Sequence, residues 1–267
     1  MSTLRFIAVS LFVSILVAPA AFAQSNAVMT EHRVAELRNV SAAEISPDGA
    51  RIAYVVAVPR VPGVDEDGGS WGELHVVEVA SGNTRPFVTG KLNVGHFAWT
   101  NDGRSLAYLS KRNDDKQTAL YVIPIGGGES RRALALADSI TAFDLHRDGV
   151  HVALIAADPI ADAKKKAQDK GFKQEIYEEE ERCSHLWIGS LAGDADKPRK
   201  LDIAGHVSDA KWSPTDERIA IKLAATALTD DSYMRTRVVV VDSADGRVLA
   251  TIESAGKLGD FAWSPDG

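Results

Sequence analysis

The chain has 267 residues, of which 45% are hydrophobic and 25% are charged, a composition typical of a folded globular protein. Its formal net charge of −7 and its pI near 5.5 argue against a general nucleic-acid-binding protein. The length is sufficient for one large all-β domain with a sizeable core.

Residues 1–23 have the three parts of a secretory signal peptide. Arg5 supplies the positive charge, residues 6–17 form an apolar run, and Ala21-Phe22-Ala23 is a small-residue cleavage site. The alternative is a membrane anchor, but the apolar run is short for a span. We therefore predict cleavage after Ala23, a periplasmic or secreted location, and no membrane span in the mature chain.

The residues that follow the predicted signal peptide carry weaker sequence signals. Residues 24–40 are predicted to form an N-terminal arm or a short helix that leads into the first repeat. The single cysteine, Cys183, excludes an intrachain disulfide. We interpret it as a small apolar filler of the core rather than a nucleophile.

A turn rich in Pro, Asn, Asp and Gly recurs along the chain. Its aspartates are separated by intervals of 54, 46, 68 and 50 residues. Asp bonds back to the local backbone and Gly accepts a left-handed conformation, so such turns join adjacent antiparallel strands. The five copies are Ser46-Pro47-Asp48-Gly49, Thr100-Asn101-Asp102-Gly103, His146-Arg147-Asp148-Gly149, Ser213-Pro214-Thr215-Asp216 and Ser264-Pro265-Asp266-Gly267.

Four apolar runs accompany each complete repeat, and this period predicts an all-β fold, a β-propeller of four-stranded antiparallel blades. The fifth copy of the turn ends at Gly267, so we expect an incomplete ring and a chain that is the front part of a longer protein. Residues 41–267 are predicted to be a partial propeller with blades at about 41–92, 93–137, 138–204 and 205–255, and a fifth blade that begins at 257.

Long connections are predicted after the second strand of every blade, all on one face of the ring. Long loops on a single face usually carry binding, although tolerated loop growth is the alternative. The longest, Asp158 to Ser184, contains a charged helical stretch that Gly171 ends, followed by four adjacent glutamates, 178–181. They form either a solvated acidic turn or a carboxylate pair that grips a cation, such as a peptide amino terminus.

Searches for chemical motifs give no catalytic residue. The sequence lacks Gly-x-Ser-x-Gly, a P-loop, His-Glu-x-x-His and Cys-x-x-Cys. Its seven histidines show no ligand spacing, so we expect neither a metal site nor a cofactor. Trp99, Trp212 and Trp263 hold one position of the repeat and are predicted to lie in the blade core.

Several stretches resemble the N-terminal propeller of prolyl oligopeptidase family serine peptidases, in the acylaminoacyl-peptidase and dipeptidyl aminopeptidase branch. They are the repeated Ser-Pro-Asp-Gly turn, Glu73-Leu74-His75-Val76-Val77, Leu120-Tyr121-Val122-Ile123-Pro124, and the charged insertion that precedes Leu186-Trp187-Ile188. The resemblance implies a seven- or eight-bladed propeller that restricts entry to short peptides. It also implies a following α/β-hydrolase domain with a Ser, Asp and His triad, which is not present in this chain.

In the dipeptidyl peptidase branch, an Asp-Trp-x-Tyr-Glu-Glu-Glu motif binds the substrate amino terminus. Tyr177-Glu178-Glu179-Glu180 is similar to its second half, which implies that role for Glu179 and Glu180, while Gln174-Glu175 replaces Asp-Trp.

The predicted function is that of a substrate-gating and binding propeller of an exported serine peptidase that cleaves short peptides near the amino end. Its predicted partners are a short peptide and a C-terminal α/β-hydrolase domain. Whether the parent protein is an enzyme stays open here, since this chain alone has no catalytic centre. The alternative is a non-enzymatic periplasmic propeller that binds proteins, similar to the Tol-system component.

Overall fold

The computed structural model describes residues 28–267 except 113, 177, 179, 180, 193–196 and 255. The predicted signal peptide and the two predicted substrate-binding residues, Glu179 and Glu180, therefore lie outside the described residues. Within the part of the chain that is described, no helix is long and apolar enough to span a membrane.

The described strands form four antiparallel sheets of four strands each, and strand order follows chain order in every sheet. This meander is the blade of a β-propeller, as the sequence predicted. The first sheet contains β1 (Asn39–Ile45), β2 (Arg51–Val58), β3 (Trp71–Glu78) and β4 (Thr84–Val88). The second contains β5 (Phe97–Trp99), β6 (Ser105–Ser110), β7 (Ala119–Pro124) and β8 (Arg131–Leu134).

The remaining two sheets repeat this order. The third contains β9 (Ile140–Leu145), β10 (His151–Ala157), β11 (Ser184–Ser190) and β12 (Arg199–Lys200). The fourth contains β13 (His206–Trp212), β14 (Arg218–Ala224), β15 (Arg237–Asp242) and β16 (Val248–Ile252).

Among the described residues, three short helices lie outside the sheets: α1 (Glu31–Ala35), α2 (Asp162–Asp169) and α3 (Thr229–Met234). Helix α1 lies in the N-terminal arm, and the side chain of Thr30 caps it by accepting a hydrogen bond from the backbone of Arg33. Helix α2 confirms the helical stretch predicted in the long insertion. Gly171, at φ 95°, follows it in the left-handed region, which glycine adopts without strain.

The recurring turn has the same aspartate geometry in all four sheets. Oδ1 of the turn aspartate accepts a hydrogen bond from the backbone N–H two residues later, at 2.8–3.1 Å. This bond closes the turn between the first and second strands and explains why aspartate recurs at this position. The four aspartates are Asp48, Asp102, Asp148 and Asp216.

Hydrogen bonds join the first strands of the first and second sheets and those of the third and fourth sheets, as expected for the inner strands of a propeller. The indole Nε1–H of Trp99 donates to the carbonyl of Glu44 at 3.1 Å. The backbone N–H of Trp212 donates to Oδ2 of Asp144 at 2.7 Å. Trp99 and Trp212 are 6% and 7% exposed, which confirms that they belong to the core.

The hydrophobic cores lie between the sheets, because adjacent sheets pack face to face. One cluster joins the first and second sheets through Leu74 and Leu106, and the next clusters join the second to the third and the third to the fourth. The outward face of the first sheet is not covered by another described sheet. Ile45, at the repeat position of Trp99, is 68% exposed, so the ring is open at this face within the described residues.

The segment after β16 packs on the fourth sheet without joining it. Leu258, Phe261 and Trp263 cover a small apolar patch formed by β14 and β15. Nε1 of Trp263 donates to the carbonyl of Lys211 at 2.9 Å, which repeats the contact of Trp99 with Glu44. The segment thus occupies the place of a first strand of a fifth blade, although it forms no strand pairing.

Candidate functional site

The longest connections, in the first, third and fourth sheets, emerge on one face of the ring. Connections after the first and third strands have five to eight residues, whereas those after the second strands have 12, 8, 26 and 12. Antiparallel order places every second-to-third connection at the same end of its sheet. The predicted one-sided distribution of long loops is therefore confirmed. The longest connection, residues 158–183, is the blade-three insertion.

The base of this insertion is closed by Arg182. Its Nε donates to the carbonyl of Asp158 at 3.0 Å, and its guanidinium also forms an ion pair with Asp138. Asp138 lies between the second and third sheets, while Asp158 and Arg182 stand at the two ends of the insertion. One guanidinium therefore holds both ends of the insertion together and fixes them to the preceding interblade segment.

Asp158 is the centre of a second set of contacts. Its carboxylate lies 2.8 Å from Nζ of Lys200 and 3.0 Å from Nε2 of His185. The hydrogen bond from Lys200 holds the pKa of Asp158 below its usual range, so this side chain is ionised at neutral pH. The start of the insertion is thus bound to the outermost strand of the third sheet.

The end of the insertion is connected to the fourth sheet. The backbone N–H of Ser184 donates to Nδ1 of His206 at 3.0 Å. Burial lowers the pKa of His206, which keeps the imidazole neutral and able to accept this bond. Burial also raises the pKa of the neighbouring Cys183 thiol. A protonated, half-buried thiol supports the interpretation of Cys183 as a filler rather than a nucleophile.

An acidic cleft lies between the insertion and the fourth sheet's long connection. On one side are Glu175, Ile176, Glu178 and Glu181, and on the other side is the segment 227–229, around a space of about 320 Å³. No lysine or arginine is among these lining residues. Three carboxylates with no lysine or arginine among the described lining residues favour a positively charged ligand.

In the sequence, Glu179 and Glu180 lie between Glu178 and Glu181, two described members of this acidic cleft. Glu178 has φ 61°, the one positive value among described non-glycine residues. An L-residue adopts this left-handed conformation at a cost, and such strained positions concentrate at functional sites. Glu179 and Glu180 lie outside the described residues, so their role stays a prediction.

A second polar cluster on the same face was not predicted from the sequence. Asp115 accepts a hydrogen bond from the hydroxyl of Tyr121 and lies 2.7 Å from Nη1 of Arg132. Burial and the bond to Asp115 raise the pKa of Tyr121 to about 12, so this phenol stays protonated and is not a nucleophile. The three residues come from one sheet, the second, and belong to no sequence motif that would have predicted their contact.

Titratable side chains also converge on the inside of the ring. Burial raises the pKa of Asp144 to about 6 and raises the pKa of Glu44. Lys211, from the fourth sheet, acts electrostatically on both carboxyls. Residues of the first, third and fourth sheets therefore share one electrostatic environment beside the axis.

Comparison with known proteins supports the propeller assignment. No family model matches the chain. The sequence is similar to Uncharacterized peptidase YuxL of Bacillus subtilis, with 27% identity over 147 residues that cover 53% of this chain and 22% of YuxL.

Solved structures show the same fold at low sequence identity. An acylaminoacyl peptidase in complex with Z-Gly-Gly-Phe-chloromethyl ketone has a TM-score of 0.60 at 11% identity, covering 85% of this chain and 34% of that chain. The propeller domain of the Trilobed protease from Pyrococcus furiosus has a TM-score of 0.53 at 13% identity, with 83% and 58% covered. A putative TolB from Agrobacterium tumefaciens has a TM-score of 0.50 at 16% identity, with 85% and 64% covered.

The chain thus resembles the propeller domains of these peptidases, as the sequence motifs indicated. It spans about a third of the acylaminoacyl peptidase and about a fifth of YuxL, and its similarity to the acylaminoacyl peptidase is confined to the propeller part.

Proposed function

We propose that this chain is the substrate-gating and binding propeller of an exported serine peptidase that cleaves short peptides near their amino end. The observation that carries the proposal is the combination of a propeller fold shared with acylaminoacyl peptidase and long connections on one face only. The sequence similarity to a peptidase of Bacillus subtilis supports the same class of function.

In this proposal, chemistry and binding belong to different parts of the protein. A hydrolase domain outside this chain supplies the serine nucleophile, the histidine base and the oxyanion hole for acyl transfer. The propeller admits short peptides and excludes folded proteins. Glu179 and Glu180 bind the free amino group of the substrate through charge-assisted hydrogen bonds, and the acidic cleft beside them adds favourable potential.

The anchoring of the insertion supports this role. Binding energy is useful only where the binding groups are held in place, since ordering a loose loop costs free energy. Arg182 fixes the insertion to Asp138 between the second and third sheets, and Asp158 fixes it to Lys200 of the third sheet. The backbone of Ser184 adds a bond to His206 of the fourth sheet. The described ends of the insertion are thus held in place, which supports a binding role for the residues between them.

The test compares the product of the complete gene with this chain alone. We expect the complete product to hydrolyse a chromogenic dipeptide anilide and to be labelled by a serine-reactive fluorophosphonate, while the chain alone does neither. A complete product that is neither active nor labelled would show that the peptidase proposal is wrong.

A second candidate function is protein binding without catalysis. It is favoured by the structural similarity to the putative TolB of Agrobacterium tumefaciens, of which this chain covers 64%. A TolB-like protein would show no hydrolysis in the experiment above. The helical insertion and its acidic cleft have no explanation in that alternative, which is why we place the peptidase role first.

A further inference from the structure

The turn between β9 and β10 brings two imidazoles and a carboxylate together. Oδ2 of Asp148 lies 3.1 Å from Nδ1 of His146 and 2.5 Å from Nδ1 of His151. The three potential ligand atoms all lie within 4.8 Å of one another. This turn is on the opposite face of the ring from the long connections, so the cluster is separate from the acidic cleft.

The backbone holds Asp148 in the orientation that this cluster requires. Oδ1 accepts hydrogen bonds from the N–H groups of Val150 at 2.8 Å and His151 at 2.9 Å. Oδ2 is therefore directed at the imidazoles. The glycine-containing turn thus presents one carboxylate oxygen for binding while the other maintains the fold.

The third sheet differs from the first two at one position of the repeat. Ser46 and Thr100 close their turns with the hydroxyl, which donates to the turn aspartate at 2.6 and 2.7 Å and accepts from the backbone of the second strand. His146 replaces that hydroxyl in the third sheet. The same position therefore carries a nitrogen ligand instead of a local hydrogen-bonding group.

His146 is buried without a satisfied ring. It is 2% exposed, and neither ring nitrogen forms an aligned hydrogen bond with any described residue. Burying a polar group without a hydrogen-bond partner costs free energy, unless another group or an ion binds it. Nδ1 is directed toward Asp148 and His151, the two other members of the cluster.

A second carboxylate, that of Glu217, lies on the other side of the His146 ring. Oε1 of Glu217, from the equivalent turn of the fourth sheet, lies 3.6 Å from Nε2. Metal-binding histidines commonly direct the ring nitrogen that does not bind the metal at a carboxylate, which fixes the tautomer and leaves the first nitrogen free to coordinate. Glu217 is placed for this supporting role.

The geometry points to a zinc-type divalent cation site formed by His146, Asp148 and His151, with Glu217 as the supporting carboxylate. Two imidazoles and one carboxylate are ligands that Zn²⁺ accepts, with water in the fourth position, and nitrogen ligands disfavour Mg²⁺ and Ca²⁺. The exposed fraction of His151, 51% for its side chain, gives the cation a route from solvent. Through Glu217 the site would join the third and fourth blades.

The test measures Zn²⁺ affinity of the tag-free chain by competition with a chromophoric chelator. We expect one Zn²⁺ per chain, and at least a tenfold weaker affinity in His151→Ala and in Asp148→Asn. Glu217→Gln is expected to weaken binding by about tenfold, the lower end of the usual effect of a supporting carboxylate. His151→Ala is the preferred variant because His151 is exposed and its replacement leaves the core intact. Replacement of the buried His146 would also remove core contacts.

Two variants serve as controls. Asp102→Asn changes the equivalent turn of the second sheet, and His32→Ala removes an exposed histidine of the arm, so neither should change the affinity. Zn²⁺ should also raise the melting temperature of the wild type but not that of His151→Ala. Equal Zn²⁺ affinity in the wild type, His151→Ala and Asp148→Asn would overturn the proposal, as would a wild type that binds less than one Zn²⁺.

Discussion

Trp99 and Glu44 join two blades through a single hydrogen bond, from the indole Nε1–H to the backbone carbonyl at 3.1 Å. Trp263 makes the same bond to Lys211 at 2.9 Å. Trp212 holds the same repeat position, yet its Nε1 has no hydrogen-bond partner among the described residues. The three tryptophans therefore share a packing role and differ in one bond.

This difference gives a matched pair of stability variants. Trp99→Phe removes the interblade bond and should cost about 1 kcal/mol more in free energy of unfolding than Trp212→Phe, which removes none. Both variants lose a similar part of a buried ring, so the difference isolates the bond. Urea unfolding at one pH measures both. A Trp212→Phe cost equal to or larger than that of Trp99→Phe would contradict this account of the interblade contact.

Asp144 should make stability fall as pH rises. Its pKa is raised by burial from 3.8 to about 6, so its contribution is complete below about pH 3.8 and is lost as pH rises through 6. The full loss of unfolding free energy is on the order of 3 kcal/mol, because a shift of one pKa unit corresponds to 1.36 kcal/mol. Asp144→Asn keeps an oxygen for the bond from Trp212 and removes the titration. Its unfolding free energy relative to wild type should therefore increase from pH 4.5 to 7.5.

Asp102→Asn is the control for this pH experiment. Hydrogen bonds from the backbone of Arg104 and from Thr100 lower the pKa of Asp102, so its contribution is present at neutral pH and lost on acidification. That loss begins only below about pH 3.8, so the stability of Asp102→Asn relative to wild type should stay nearly constant between pH 4.5 and 7.5. Parallel pH profiles for the two variants would refute the assignment of a buried, destabilised carboxylate at position 144.

Arg182 should control the order of the insertion rather than the stability of the whole domain. Arg182→Gln removes the ion pair with Asp138 and weakens the contact with Asp158. We expect trypsin to cleave at Lys164–Lys166 several-fold faster, with little change in the midpoint of urea unfolding. Arg235→Gln, which breaks an ion pair with Asp231 in the fourth sheet's connection, is the control. Equal cleavage of both variants would mean that Arg182 does not hold the insertion.

The glutamate pair can be tested in the complete gene product. Replacing Glu179 and Glu180 by Gln should raise KM for peptides with a free amino group and leave amino-blocked peptides little affected, because only the first kind carries the ammonium group. Glu129→Gln, in a turn on the opposite face, is the control. Equal effects of the double variant on free and blocked peptides would remove the proposed role.

The fold could be predicted from the sequence because its determinants are local. The turn aspartates bond to backbone two residues away, and the repeat interval fixes four strands per blade. Helix α2 was predicted for the same reason, since charge order and Gly171 are local signals. Helix α3 was not predicted, because six residues within a long connection give too short a pattern.

The contacts between blades could not be read from the sequence. His146 and Glu217 are separated by one whole blade, as are Glu44 and Trp99, and only ring packing brings them together. His146, Asp148 and His151 are different, since they lie within six consecutive residues and form a local pattern that the search for metal-ligand spacing missed. The anchoring of the insertion by Arg182 and Asp138 is, by contrast, a product of tertiary packing.

The most direct test of the central claim is the size selectivity of the complete gene product. Hydrolysis rates are compared for a chromogenic dipeptide, a peptide of about 30 residues and a folded protein that contains the same cleavable sequence in an exposed loop. A gating propeller predicts rapid cleavage of the dipeptide, slow cleavage of the long peptide and none of the folded protein. Comparable cleavage of the dipeptide and the folded protein would contradict the gating role.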